Sequence, residues 1–564
     1  MTRSALAIVW LGVILCEPGV GQERPEPRRA PPRAADTPGS ARVEGQVFNE
    51  ADQPLRRAHL TLRPMEAGIS TIGSDADDKG TFSIQQIVPG RYMLVAERDG
   101  YLPSSTCLRG ALRMPSVITI GAGQSITNLS FRLRPWAVIG GRIKFEDGEP
   151  AVSARVEIYR EAYFKGRHSY QLAATSRTND RGDYRVFGLA PGTYIVAVSY
   201  DRSVPASSYL EQARRDADGR ELPVFGFATT FHPATTKLTE AVPIRLEYGS
   251  EQPGIDLFLK VVRKVKLGGR VTSAVSGKPI TSPAIALARL DAGNNGTLVS
   301  TANARYLPEG FFEIRDVTPG QYLLQATGSE GNATLTGRIP VTVSDQDVGN
   351  IELLIAAEKN WGATFRVEGA ERLPAAARAM RVTLEPRSQY GPVVNADANA
   401  TGFRCRVRPE ENYDLFVDNL PDDYYVAAIR VSGSDAMATG AAGYNASPDR
   451  PIDVVLDARG GRVGGRVFGP DGSVWSGASL ALVPDPPQGR LQSYRNGVAD
   501  EYGQFQIRGV PPGRYTLIAW LDDPPCDVYD PSGLEACRAT GMAVAVEQAG
   551  SLSVQLNARQ LPRR

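Results

Sequence analysis

Apolar and polar residues alternate along most of this chain in short runs, and clusters of Gly, Pro, Asp and Asn cut one run from the next. The stretch Ala154-Arg155-Val156-Glu157-Ile158-Tyr159 is representative. A period of two sends successive side chains to opposite faces of a strand, so runs of this kind predict strands with one face in a core. After it, Thr178-Asn179-Asp180-Arg181-Gly182-Asp183-Tyr184 predicts a hairpin turn. An Asp side chain bonds its own backbone there, and Gly takes positive φ at little cost. Pro191-Gly192 predicts the following turn, with Pro presetting φ. Tyr184 and Val186, then Tyr194, Val196 and Val198, form the inward stripes of the two flanking strands.

This pattern recurs five times. The full signature opens on Gly-Gly-Arg-hydrophobic, passes through Asp-x-Gly-x-aromatic and closes on Pro-Gly-x-Tyr, and the fourth copy lacks the Asp-x-Gly turn. Clear closings are Pro89-Gly90-Arg91-Tyr92, Pro191-Gly192-Thr193-Tyr194, Pro319-Gly320-Gln321-Tyr322 and Pro512-Gly513-Arg514-Tyr515, and Pro421-Asp422-Asp423-Tyr424 reads as a worn copy. Copies end on strands such as Leu129-Ser130-Phe131-Arg132-Leu133 and pass almost directly into the next Gly-Gly. Repetition at this period predicts a tandem array, and short strands with closely spaced turns predict antiparallel β-sandwiches. The expected units are residues 41–134, 136–261, 264–356, 359–457 and 460–558, the second carrying a loop insertion over 203–239 with a short helix over 207–215. Such linkers favour an elongated, beaded rod.

The chain ends set the compartment. Arg3, the apolar run Ala5 to Leu15 and the small residues Gly19-Val20-Gly21 predict a signal peptide over 1–21. Cys16 raises lipid anchoring, but Leu15 stands where a lipobox wants a small residue. Residues 22–40 are rich in Pro, Arg and Ala and read as a disordered linker. No later apolar run approaches the ~20 residues of a membrane span, so the mature chain is expected to be secreted, periplasmic or extracellular. A net charge of +1 with mixed acids and arginines gives no basic face for nucleic acid. In an oxidising compartment, Cys526 and Cys537, which flank one short Pro- and Asp-rich segment, are expected to form a disulfide. Cys107 and Cys405 stand in different units with no local partner.

The Gly-Gly-Arg-Val, Asp-x-Gly-x-Phe/Tyr and Val-x-Pro-Gly-x-Tyr motifs resemble the carboxypeptidase regulatory-like domain. That resemblance implies an Ig-like, transthyretin- or prealbumin-like sandwich, grouped with carbohydrate-binding-like folds and the repeats of bacterial surface proteins. In metallocarboxypeptidases such a domain follows a zinc-binding catalytic domain whose first ligands read His-x-x-Glu. Here His59, His168 and His232 are followed three positions on by Leu62, Gln171 and Thr235. Zinc hydrolysis needs typically three protein ligands and an open position, which this chain does not offer. Neither a Gly-x-Ser-x-Gly elbow nor a phosphate loop is present. No enzyme activity and no cofactor are expected. The acidic turn Asp75-Ala76-Asp77-Asp78-Lys79-Gly80 lacks the twelfth-position glutamate of a calcium loop, where Gln86 stands, and reads as a polar hairpin turn.

Binding is then expected in loops held by rigid sandwiches. The second unit offers Tyr163, Phe164 and Tyr170 in a basic loop, and the fifth offers Tyr529 inside the Cys526–Cys537 segment. Exposed aromatics stack on sugar faces and anchor protein interfaces. The expected function is a secreted, non-enzymatic scaffold or adhesion-type protein for a protein or cell-envelope partner. A carbohydrate-binding protein is the alternative; a weaker one is an accessory subunit of an exported enzyme or transporter.

Overall fold

The computed structural model describes residues 41–558 except 67, 105–106, 110–111, 115–116, 165–166, 201–217, 219–221, 291–296, 300–303, 389–392, 409–410, 438–451, 476, 488–490, 501, 522–527 and 530–533. The expected signal segment, the linker and the helix expected over 207–215 lie outside the described residues. The rest is a succession of β-sandwiches, with only a five-residue α-helix, Leu534–Arg538, and short 3-10 turns. Five separate hydrophobic cores follow one another along the chain, centred on Phe82 and Tyr92, Tyr184 and Tyr194, Phe312 and Tyr322, Phe403 and Tyr413, and Phe505 and Tyr515.

Three devices recur among the units. The first is a turn. In units one, two and five an Asx carboxylate or amide oxygen accepts two backbone N–H bonds: Asp77 from Lys79 and Thr81, Asn179 from Arg181 and Asp183, and Asp500 from Tyr502 and Gln504, all within 2.8–2.9 Å. The bonding residue stands three positions before the glycine. That glycine is doubly required at Gly182: φ is +76°, and an added Cβ would lie 2.4 Å from the Ile143 carbonyl oxygen.

The second device is a tyrosine corner within the Pro-Gly-x-Tyr motif. Tyr92, Tyr194, Tyr322 and Tyr515 each donate their phenol to a carbonyl four residues upstream, on Val88, Ala190, Thr318 and Pro511, at 2.6–2.8 Å. All four rings are buried, so the bond satisfies a hydroxyl that burial would otherwise strand.

The third device was not foreseen. The opening strand of each unit lies parallel to its closing strand, in otherwise antiparallel sheets: Ala41–Phe48 with Ser125–Arg132, Ala137–Lys144 with Glu251–Gln252 and Leu257–Phe258, Val261–Ser273 with Val348–Ala357, Lys359–Glu368 with Ile452–Asp457, and Gly461–Phe468 with Ser551–Asn557. This contact explains the Gly of the opening motif. A Cβ at Gly45, Gly141, Gly269 or Gly465 would lie 1.9–2.2 Å from a carbonyl oxygen of the closing strand, on Leu129, Ile255, Ile351 or Val554. The glycine is there for a close backbone approach rather than for a turn.

Unit four departs from the sequence reading. Its corner is not Pro421-Asp422-Asp423-Tyr424. Tyr413 sits opposite Pro386 as Tyr92 sits opposite Pro64 and Tyr515 opposite Pro484, and its phenol accepts the Arg408 backbone N–H at 3.3 Å. Its sequence, Val407-Arg408-Pro409-Glu410-Glu411-Asn412-Tyr413, carries one extra residue and Glu411 in place of glycine, which hides the motif. Its turn survives as Asn399-Ala400-Thr401-Gly402-Phe403, with the Asn399 side-chain oxygen accepting the Thr401 and Gly402 N–H groups.

Candidate functional site

The described residues hold no group of three or more His, Cys, Asp or Glu side chains that converge as metal ligands. In the acidic turn of unit one, Asp77 is engaged by backbone N–H groups and Asp75 lies 2.7 Å from His59 Nδ1. Two loop regions and one groove depart from the repeat.

The first region is the long hairpin of unit two, Arg155–Phe164 with Arg167–Arg177, whose counterparts in unit one are the shorter strands His59–Pro64 and Ile72–Asp75. Its register sets Tyr163 opposite His168 and Glu161 opposite Tyr170. The three rings form a chain, with centroids 5.0 Å apart from Tyr163 to His168 and 4.8 Å from His168 to Tyr170. His168 Nε2 lies 2.8 Å from a Glu161 oxygen, which fixes the imidazole plane. Tyr170 leans on a small second core of Tyr159, Ile195, Ala197 and Phe231, and burial, with Glu161 and Tyr163 nearby, raises its phenol above the ordinary value. Tyr170 is thus largely a packing residue, and Tyr163, like it, is partly buried. Phe164 pairs its backbone with Arg167; its side chain lies outside the described residues.

The second region is the segment after the Gly513–Trp520 strand in unit five. Val528, Leu534 and the fully buried Cys537 cover Ala481, Val483 and Ile518 on the outer face of the sheet. Tyr529 lies at the rim of this cluster, its ring 5.0 Å from that of Tyr494. Burial, with Tyr529 beside it, pushes the Tyr494 phenol up to about 12. Cys526 lies outside the described residues. Tyr163 and Tyr170 therefore belong to one cluster, and Tyr529 to a separate one in another unit. Cys405, in unit four, is free, and burial followed by the nearby Asp397 pushes its thiol up to about 12.

The groove was missed by sequence reasoning. In unit two the closing strand is broken at Pro253-Gly254 into Glu251–Gln252 and Leu257–Phe258. A cleft of about 380 Å³ opens there over Gly140 and Gly141, walled by Arg142, Asp183, Arg185, Glu251 and Asp256. That is within the size of small-ligand sites. Its charges are cross-braced: Arg142 Nε donates to Asp183 at 2.6 Å, Arg185 reaches Glu251 at 3.1 Å, and Asp256 accepts the Arg142 backbone N–H at 2.7 Å. The Arg142 hydrogen bond, the largest influence, holds the Asp183 carboxyl below its usual range. Further along the turn strand, the exposed Phe187 stacks on Trp136, with centroids 5.2 Å apart. The Pro-Gly interruption of a closing strand was the signal available in the sequence.

Residues 42–134 match the carboxypeptidase regulatory-like domain. Unit one therefore carries the family that its motifs resemble. No curated protein matches the chain by sequence. Among solved structures, the chain is similar to a streptococcal ancillary pilin at 8% identity, over 56% of this chain and 99% of that one, with a TM-score of 0.19. It is similar to GBS52, the minor pilin of Streptococcus agalactiae, at 10% identity, over 39% and 96%, with a TM-score of 0.22. The Bacillus anthracis TIE protein is 10% identical over 56% of this chain, which spans 51% of that protein, with a TM-score of 0.16. Among the described residues no helix is long and apolar enough to cross a membrane.

Proposed function

We propose that this protein is an exported, non-enzymatic scaffold whose five sandwich units, 41–134, 136–261, 264–356, 359–457 and 460–558, present loops to a protein or cell-envelope partner. One observation carries the reading. The residues that recur from unit to unit are consumed by the fold, as corner phenols, turn-bonding Asx groups and close-approach glycines, so what varies is the decoration of units two and five. In this reading residues 1–21 are removed on export, 22–40 act as a spacer, and Cys526 pairs with the buried Cys537 to hold the unit-five decoration. Tyr163, Phe164, Tyr170 and Tyr529 are the contact aromatics.

The test is binding of the purified full chain to envelope fractions of its native host, with Tyr163→Ala and Tyr529→Ala alongside. Saturable binding weakened about tenfold or more by either substitution is expected. Turnover of a peptide, ester or glycoside substrate by the purified chain would overturn the reading, and a stoichiometric enzyme partner would replace it with the accessory-subunit role.

A second reading, carbohydrate binding, is favoured by the cleft over Gly140 and Gly141. Paired Arg and Asp groups, with Asp183 and Arg185 on the strand that also carries the exposed Phe187, itself packed on Trp136, offer planar hydrogen bonding and a stacking surface together. Titration with soluble oligosaccharides should then quench the Trp136 emission, and Phe187→Ala should abolish the change. Unchanged emission across an oligosaccharide panel counts against it.

A further inference from the structure

The residue that replaces the corner glycine of unit four is not idle. Glu411 occupies the place of the corner glycine and is buried, with its side chain 8% exposed. It reaches into unit three, where Arg338, on the Ala333–Val343 strand and 5% exposed, donates to Glu411 Oε2 at 2.9 Å. The same carboxylate accepts the Ser388 N–H at 3.1 Å and the Ser388 hydroxyl at 2.9 Å. A buried ion pair keeps its value only while both charges stay paired and hydrogen-bonded, so separating the units would strand two charges.

A second acidic site of unit four, Asp422-Asp423, which lies outside the corner, faces the opposite neighbour. Asp423 takes a two-pronged pair of hydrogen bonds from Arg462, on the opening strand of unit five, at 2.8 and 2.5 Å, and Asp422 meets Arg508 at 3.0 Å. Bidentate Arg–carboxylate pairs fix orientation as well as distance. Beside them the buried Asp457, last residue of the unit-four closing strand, accepts from Arg459 Nε at 2.9 Å, Tyr425 Oη at 3.2 Å and Gln548 Nε2 of unit five at 3.0 Å. The linker between the units is itself tied down. Gly460 N–H donates to the Asp423 carbonyl, and Ala549 N–H to the Arg459 carbonyl. A Cβ at Gly460 would lie 2.5 Å from the Asp423 carbonyl oxygen, and one at Gly509 2.5 Å from that of Tyr424. Gln492 of unit five also donates to the Leu415 carbonyl at 2.6 Å.

We infer that unit four is a coupler: Glu411, which takes the place of its corner glycine, and Asp422-Asp423, which lie beyond the corner, lock units three, four and five into one stiff segment. Where the other units spend their corner glycine on their own turn, this unit spends the position on its neighbour. The inference does not rest on the proposed scaffold role and concerns the mechanics of the chain whatever it binds.

The test is a distance-distribution measurement on the full chain, with non-cysteine probes at the exposed Val275 of unit three and Val498 of unit five. A single narrow distribution is expected. Glu411→Gly, which restores the repeat residue, combined with Asp423→Asn should broaden it at least twofold while far-ultraviolet circular dichroism stays unchanged. Arg338→Gln alters only the unit-three side of the lock and leaves the unit-four corner intact, so it guards against misfolding of unit four; it too should broaden the distribution. A broad distribution in the unsubstituted chain, or an unchanged width in Arg338→Gln, would overturn the inference.

Discussion

Units two and five solve one problem in two ways. In both, the chain leaves the tyrosine strand, Gly192–Ser199 or Gly513–Trp520, and folds back over the outer face of the same sheet. In unit two the cover is extended. Phe231 plugs the face formed by Tyr159, Ile195 and Ala197, and Thr230–Phe231 pairs with the tyrosine strand. The neighbouring Val224–Phe227 strand pairs with Val261–Lys264, where unit three begins. In unit five the cover is a compact segment with a single helical turn around Cys537, and its cluster draws only on unit-five residues. A sheet face made apolar on both sides must be covered, but whether the cover also ties down a neighbour depends on whether it exposes a strand edge or closes on itself.

The largest expected effect that would break this comparison is on Phe231. Phe231→Ala should destabilise unit two by about 3–5 kcal/mol, and hydrogen exchange at Val261–Lys264 should rise with it because the cover holds that strand. Protection unchanged at those amides would mean the ladder does not depend on the cover. Next, Cys537→Ala, which removes the proposed bond to Cys526, should cost unit five about 2–4 kcal/mol while leaving exchange in unit four at its native level; a non-reducing peptide map of the unsubstituted chain that shows no fragment joining residues 526 and 537 would refute that bond. Smaller still, Tyr194→Phe and Tyr515→Phe should each cost about 1 kcal/mol in chemical denaturation, and by similar amounts, since both corners make the same bond. Unequal costs would show that the covers reach the corners beneath them.

The subtlest difference is in alkaline titration. Tyr494 ionises in the fold near 12 against an ordinary value of 10.0, so its contribution is complete below pH 10 and is lost as pH rises from there through about 12. The unit-five cover should therefore loosen in that window, read by the absorbance of ionised tyrosine at long ultraviolet wavelength. A Tyr494→Phe variant should remove the corresponding step.

What the sequence alone determined is local. Alternation gave the strands, Asp-x-Gly marked the turn although the bonding side chain proved to be the Asx one place earlier, and Pro-Gly-x-Tyr marked the tyrosine strand, because each rests on groups a few residues apart whose chemistry is complete within that span. The candidate aromatics were legible only as residue types: Tyr163 and Tyr170 proved to share one ring chain through His168, while Tyr529 belongs to another unit. Long-range contacts decided the rest. The glycine at Gly45, Gly141, Gly269 and Gly465 is explained by a parallel strand that arrives about 80 to 115 residues later. The corner of unit four was misplaced because its glycine had become Glu411, a residue whose partner, Arg338, lies in the preceding unit. Periodicity records which face of a strand is buried; it does not record which distant backbone or charge comes to rest against it, and that only tertiary packing supplies.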